Sequence, residues 1–145
     1  MQAWGYNCCG QTNVPAGLTN VIAIDAGVGN HSLALRAEGT VVAWGIADQG
    51  QCDVPAGLTN VIAIAGGGYH SMALQADGRV VVWGAYYDGI EPFVPAYVPS
   101  DLSNVVAIAA GFAHNVALRS DGTVVTWGTT DYTSEPPAGL SNVVA

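Results

Sequence analysis

Basic residues are scarce in this chain of 145 residues, which has three arginines and no lysine against eleven acidic residues. Nucleic-acid binding draws most of its affinity from clustered lysine and arginine side chains that neutralise phosphates. The three arginines, Arg36, Arg79 and Arg119, lie far apart in the sequence and form no such cluster. The composition therefore predicts that nucleic acid is not a partner.

Long apolar runs are also absent, although half of the residues are hydrophobic. A membrane-spanning helix needs roughly eighteen or more apolar residues in a row. Glycine, asparagine, proline or a charged residue interrupts every candidate run here. The first residues also lack the basic start and apolar stretch of a secretory signal. We expect a soluble globular protein that has no membrane partner.

The three cysteines, Cys8, Cys9 and Cys52, form no C-x-x-C pair. That spacing is typical of zinc sites and of redox motifs, so neither is predicted. We interpret all three as loop thiols. A disulfide between Cys9 and Cys52 stays open as an alternative.

The sequence repeats itself with a period of about forty residues. The run at 14–24 recurs letter for letter at 54–64, and looser copies begin at Leu102 and Leu140. One tryptophan and one histidine keep the same period, at Trp4, Trp44, Trp83 and Trp127 and at His31, His70 and His114. A fixed period of this length indicates an array of small supersecondary units.

Each unit contains three short runs that are rich in valine, isoleucine and alanine and bounded by glycine and asparagine, a pattern typical of strands. An acidic residue followed by glycine separates the second run from the third, which suits a tight hairpin. The pattern predicts an all-β fold with complete units at 20–44, 60–83 and 104–127 and partial strands at 2–5 and 142–145. The longer linker at 85–101, with three prolines, predicts an irregular loop.

Small antiparallel sheets of this length stack as blades of a β-propeller, where each tryptophan can fill the wedge between neighbouring sheets. The segment 66–84, GGGYHSMALQADGRVVVWG, resembles the RCC1 repeat, and the linker G-Q-x-x-V-P-A at 50–56 is closest to the bacterial β-lactamase-inhibitor propellers of that superfamily. The resemblance implies blades of a seven-bladed ring, which three complete units cannot close alone.

Following the strands through one unit places the loop before each histidine and the loop after each Trp-Gly on the same face. Rigid aromatic side chains on such a face are typical of protein recognition. The candidate partner-binding residues are Tyr6, Asn30, Tyr69, Tyr86, Tyr87, Phe112 and Tyr132. The resemblance implies that loops of this kind bind the partner enzyme in the inhibitor propellers. Alternatively, the aromatic residues cap the ends of the blades.

The recurring histidines suggest a metal site, but residues one blade apart are too far from one another to share one ion. The resemblance implies a structural role instead, in which each imidazole fixes a loop through a hydrogen bond to the backbone. No serine stands in a hydrolase elbow and no lysine accompanies the glycines as in a phosphate-binding loop. The sequence predicts no catalytic residues, no metal and no cofactor.

Two functions stay open: a non-enzymatic module that binds or scaffolds proteins, and a propeller fragment that assembles with itself. A repeat array exposes at its ends the apolar faces that its inner units bury. The segments 2–5 and 142–145 correspond to the two outer pieces of one blade, so head-to-tail contact between copies could complete it. We expect a homodimer.

Overall fold

The computed structural model describes residues 1–87, 93–129, 136–137, 140 and 142–144. Ten strands are found in them: β1 Val21–Gly27, β2 His31–Arg36, β3 Val41–Gly45, β4 Val61–Gly66, β5 His70–Gln75, β6 Val80–Tyr86, β7 Val94–Pro95, β8 Val105–Ala110, β9 His114–Arg119 and β10 Val124–Gly128. These residues include no helix that is long and apolar enough to cross a membrane.

The strands form three antiparallel sheets, each built from neighbours in the sequence. We call them blade 1 (β1–β3), blade 2 (β4–β7) and blade 3 (β8–β10). The predicted all-β fold of blade-like units is confirmed. Blade 2 gains a fourth strand because part of the long linker, β7, pairs with the end of β6.

The first strand of every blade starts in the same way. An asparagine with a left-handed backbone precedes it, at Asn20, Asn60 and Asn104, with φ of 56°, 55° and 56°. Asparagine tolerates this conformation better than most residues. The register then shifts between Val21 and Ala23, and at the matching points of β4 and β8. The bulged residue is an exposed apolar side chain in each blade: Ile22, Ile62 and Val106.

The tryptophans at the ends of the blades form the contacts between blades, as the sequence predicts. Trp83 packs against blade 1 with Leu33 and Leu35, and Trp127 packs against blade 2 with Met72. Both indoles are buried. The indole N–H of Trp83 donates to the carbonyl of Gln51 at 2.9 Å. Trp44 and Trp127 donate in the same way to Gln11 and Tyr97, each at 2.8 Å. Each blade is thus tied to the linker that precedes it.

The partial strands expected at 2–5 and 142–145 are not paired in the described residues, which hold no middle strand for them. Trp4 is 87% exposed. Asn142 and Val143 nevertheless repeat the start of a first strand. Asn142 has φ of 56°, and the N–H of Val143 donates to the Gly122 carbonyl at 3.4 Å, as Val61 does to Gly39 at 3.1 Å. The strands themselves stay a prediction.

Candidate protein-binding surface

Two sets of loops meet at one end of the blades, which we call the loop face. The loops before the repeat histidines cover 28–30, 67–69 and 111–113, and the other set begins after β3, β6 and β10. The N–H of Ala85 donates to the Tyr69 carbonyl at 2.8 Å, and Ile46 and Thr129 make the matching bonds to Asn30 and Ala113. Both loop sets therefore lie on one face, as the order of the strands indicates.

Four aromatic rings contact one another on this face. Tyr69 stands at the centre, with its ring centroid 5.9 Å from Tyr87, 5.0 Å from Phe93 and 5.8 Å from Phe112, always edge to face. Tyr87 and Phe93 stack at 4.7 Å. Edge-to-face and offset contacts at these distances are favourable for aromatic rings. We call these four residues the aromatic cluster. Phe112 is 37% exposed and the other three are half-buried.

A close backbone approach joins the two blades that carry the cluster. The N–H of Gly68 in blade 2 donates to the carbonyl of Phe112 in blade 3 at 2.9 Å. A Cβ atom at position 68 would stand 2.5 Å from that oxygen, so only glycine fits there. The neighbouring residue, Tyr69, is thereby held beside the Phe112 ring. The cluster is therefore positioned by the contact between blades.

The structure places Tyr69, Tyr87 and Phe112 together, but it separates them from the other candidates. Tyr6 is exposed and lies by the N-terminal segment. Asn30 is exposed, with left-handed φ of 62°, and its side chain accepts a hydrogen bond from Gln11 at 3.2 Å. Tyr132 lies outside the described residues. Their predicted part in partner binding stays a prediction.

Tyr86 requires a correction, because its side chain is 1% exposed and offers a partner no surface. Its hydroxyl donates to the Tyr97 carbonyl at 3.1 Å and accepts from the Asn115 amide at 2.6 Å. Burial raises the pKa of Tyr86 to about 12. Tyr86 is buried and Tyr87 is half-buried because adjacent residues at the end of β6 point to opposite sides of the sheet.

Two of the repeat histidines, His31 and His70, make hydrogen bonds across blades, which corrects the expected imidazole bond to the backbone at these positions. The Nε2 of His31 lies 3.0 Å from the Ser71 hydroxyl in blade 2, and that of His70 lies 2.8 Å from the Asn115 Oδ1 in blade 3. Ser71 donates its only hydroxyl hydrogen to the Gln51 carbonyl at 2.9 Å. His31 must therefore be the donor, protonated at Nε2.

His70 has the same tautomer, because the Asn115 oxygen can only accept a hydrogen bond. Burial lowers the pKa of both His31 and His70 to about 4, so both rings are neutral at physiological pH. The Nδ1 atoms of both rings are buried, and among the described residues nothing donates to them. The two histidines thus link neighbouring blades as neutral donors.

Three acidic side chains in the described residues have structural roles, two within hairpins and one between blades. Asp77 and Asp121 accept hydrogen bonds from the N–H groups of Arg79 and Thr123 within their hairpins, at 3.0 and 2.9 Å. Asp25 accepts from the N–H of Gly66 in blade 2 at 2.7 Å. In this part of the chain, no three histidine, cysteine, aspartate or glutamate side chains gather to hold a metal ion. In the described residues, the loop face therefore presents aromatic surface rather than a set of metal ligands.

A cavity of about 560 Å³ lies elsewhere, between residues 1–12 and the outer face of blade 1. Trp4 and Tyr6 line one wall, and Ile24, Asp25 and Trp44 line the other. Ile24 is 66% exposed here, whereas the matching Ile64 and Ile108 pack against the preceding blade. The cavity therefore marks the place that a neighbouring blade occupies elsewhere in the molecule.

Comparison with known proteins agrees with this architecture. The model of the Regulator of chromosome condensation (RCC1) repeat matches residues 21–51, 61–89 and 105–132. No curated protein matches significantly.

Among solved structures, yeast RCC1 (Prp20) bound to Kap60 aligns with 88% of this chain and 39% of its own, at 24% identity and a TM-score of 0.67. A second structure is that of Prp20p from Saccharomyces cerevisiae, described together with its binding to Gsp1p and histones. It aligns with 77% of this chain and 31% of its own length, at 28% identity and a TM-score of 0.57. The ectodomain of the Physcomitrella patens receptor kinase CR4 aligns with 76% of this chain and 29% of its own length, at 27% identity and a TM-score of 0.61.

This chain thus spans well under half the length of the structures it matches. The family model covers more than half of the chain, in one segment for each blade. The chain belongs to the family of RCC1-repeat proteins.

Proposed function

We propose that the chain is a non-enzymatic protein-binding module whose partner surface is the aromatic cluster. The observation that carries this proposal is the mutual contact of Tyr69, Tyr87, Phe93 and Phe112 on the loop face. Rings held by one another lose little conformational freedom on binding, and partly exposed aromatic clusters dominate many protein interfaces. An apolar segment of a partner protein suits this surface best.

Relatives support the class of function. The solved structures of yeast RCC1 concern complexes or binding with other proteins, namely Kap60, Gsp1p and histones. The yeast proteins that bind those partners are much longer than the part that aligns with this chain. With eleven acidic residues against three arginines and no lysine, this chain offers little to an acidic partner.

Substitution of Phe112 tests the proposed surface. We expect Phe112→Ala to reduce capture of specific partner proteins from a source lysate by tenfold or more, because a central aromatic contact is removed. The chain offers a control in Ile62→Ala, since Ile62 is an exposed apolar residue that belongs neither to the cluster nor to the other candidate residues. Quantitative mass spectrometry of the captured proteins gives the comparison. Equal capture by wild type and Phe112→Ala would refute the aromatic surface.

A second proposed function is self-association into a larger propeller, with the homodimer as the expected species. The open cavity at blade 1 and the exposed Ile24 support it, because the matching positions of blades 2 and 3 are covered by a neighbouring blade. Asn142 has the left-handed φ that precedes every first strand, and Val143 makes the matching backbone bond to Gly122. We propose that residues 142–145 of one copy pack beside β1 of a second copy.

Two neighbouring isoleucines of β1 provide the test. We expect light scattering of the wild type to give twice the chain mass of 14.8 kDa, and Ile24→Glu to give the single chain mass. Ile22→Glu should leave the dimer intact, since the bulged residue at this position is exposed in every blade. A wild type that is monomeric at micromolar concentration, or equal effects of the two variants, would contradict the proposed contact.

A further inference from the structure

The adjacent cysteines Cys8 and Cys9 take part in neither the aromatic cluster nor the contacts between blades. Their sulfur atoms lie 2.7 Å apart, whereas a disulfide bond measures about 2.05 Å. Cys8 is exposed and Cys9 is half-buried. The two thiols therefore lie side by side at a place that solvent and small reagents reach. A bond between them would be strained and readily reduced, because neighbouring Cα atoms are about 3.8 Å apart, closer than in most disulfides.

The backbone turn that carries this pair is repeated in the next linker. The N–H of Cys9 donates to the side-chain oxygen of Gln11 at 3.0 Å. At the matching positions, the N–H of Gln49 donates to the side-chain oxygen of Gln51 at the same distance. The turn is therefore a property of the linker, since it forms with and without cysteine. What distinguishes the first linker is the pair of thiols held side by side.

The surroundings of the pair favour ionisation of one thiol. Hydrogen bonds from Cys9 and, to a smaller extent, from Tyr6 and Gln11 lower the pKa of Cys8. The same bond raises the pKa of Cys9. Cys52 provides a contrast within the chain, because burial and the charge of Asp53 raise its pKa to about 11. The Cys52 thiol donates to the Ile46 carbonyl at 3.1 Å.

We propose that Cys8 and Cys9 form a dithiol that peroxides oxidise reversibly to a disulfide between the two neighbours. The Cys8 thiolate attacks the terminal peroxide oxygen, the O–O bond breaks, and Cys8 becomes a sulfenic acid while the leaving hydroxide or alkoxide takes a proton from the solvent. The Cys9 sulfur then attacks the Cys8 sulfur. The S–S bond forms, the S–O bond breaks, and the hydroxide leaves as water with the Cys9 proton. The two thiols supply the two electrons that reduce the peroxide, and an external dithiol reverses the step.

Mass spectrometry of the full chain can follow each cysteine separately. Cleavage after Arg36 and Arg79 places Cys8 and Cys9 on one peptide and Cys52 on the next. After a pulse of hydrogen peroxide and alkylation, we expect the first peptide to lose two hydrogen atoms and to escape alkylation. Dithiothreitol should restore both thiols. Because hydrogen bonds lower the pKa of the exposed Cys8 thiol whereas burial raises the pKa of Cys52, Cys8 should react about tenfold or more faster than Cys52.

Single substitutions decide whether the two thiols act together. In Cys9→Ser, the sulfenic acid on Cys8 should persist and be trapped by dimedone, whereas Cys52→Ser should behave as wild type. Three results would overturn the proposal: oxidation of Cys8 no faster than that of Cys52, direct conversion of Cys8 to sulfinic acid without the disulfide, or disulfides that join two chains. Each is read from the same peptides.

Discussion

Replacing Trp83 by alanine is expected to lower the free energy of unfolding by about 3–5 kcal/mol, the usual range for a buried tryptophan. The indole is 7% exposed and fills the wedge between blades 1 and 2 against Leu33 and Leu35. Its removal leaves a cavity that two sheets, each tied by its own backbone bonds, cannot close. The Gln51 carbonyl keeps the hydrogen bond from Ser71, so the loss comes mainly from packing.

Trp4→Ala is the matched control, because Trp4 holds the same position of the repeat but is exposed. When both variants are measured in the monomeric Ile24→Glu background, we expect Trp4→Ala to change the free energy of unfolding by less than about 0.5 kcal/mol, as surface substitutions usually do. Urea unfolding followed by circular dichroism measures both variants. If Trp83→Ala cost less than about 1 kcal/mol, the tryptophans would not be the main contacts between blades.

Lowering the pH from 6.5 to 4 is expected to remove about 6 kcal/mol of stability, roughly 3 kcal/mol for each of His31 and His70. Both have pKa values near 4 in the folded protein against an ordinary 6.5, with burial as the main cause. The unfolded chain therefore binds protons first as the pH falls. The stabilisation is complete above pH 6.5 and is lost on the way down to pH 4.

Glutamine substitutions separate the histidines from the eleven acidic residues, which also titrate towards the lower end of this range. His31→Gln and His70→Gln should each halve the slope of stability against pH between 6.5 and 5, and the double variant should abolish it. Glutamine retains an N–H donor that can face Ser71 or Asn115. Urea unfolding at a series of pH values gives the slopes, and an unchanged slope in the double variant would rule out the histidines as its cause.

Much of the fold could be predicted because every repeat carries the same pattern of strands, turns and a tryptophan. The period of the tryptophans indicated the contacts at Trp83 and Trp127, and the three short runs in each unit indicated its strands. The bulge at Ile22 could not be read in this way. Its apolar side chain continues the strand pattern, and the shift of register depends on pairing with β2.

The candidate surface could be predicted only in part. Tyr69 and Phe112 precede the repeat histidines, so chain direction places them on the loop face. Tyr86 and Tyr87 stand side by side in the sequence, and only the length of β6 decides that the first is buried. Phe93 was missed because it belongs to the long linker, where no repeat offers a counterpart; its aromatic character so near Tyr87 was the available signal.

The side chains that bridge the blades also fix the order in which blades can follow one another. His31 donates to a serine, whereas His70 donates to an asparagine whose amide in turn needs the Tyr86 hydroxyl. The position that matches Tyr86 in blade 1 is Ala47, so an asparagine placed after blade 1 would lack that acceptor. Exchanging blades 2 and 3 would therefore leave a buried amide unpaired, although the repeats are nearly identical in sequence. A rearrangement that moved single repeats of this chain would have to keep these matching residues together, so blades 2 and 3 are not interchangeable neighbours.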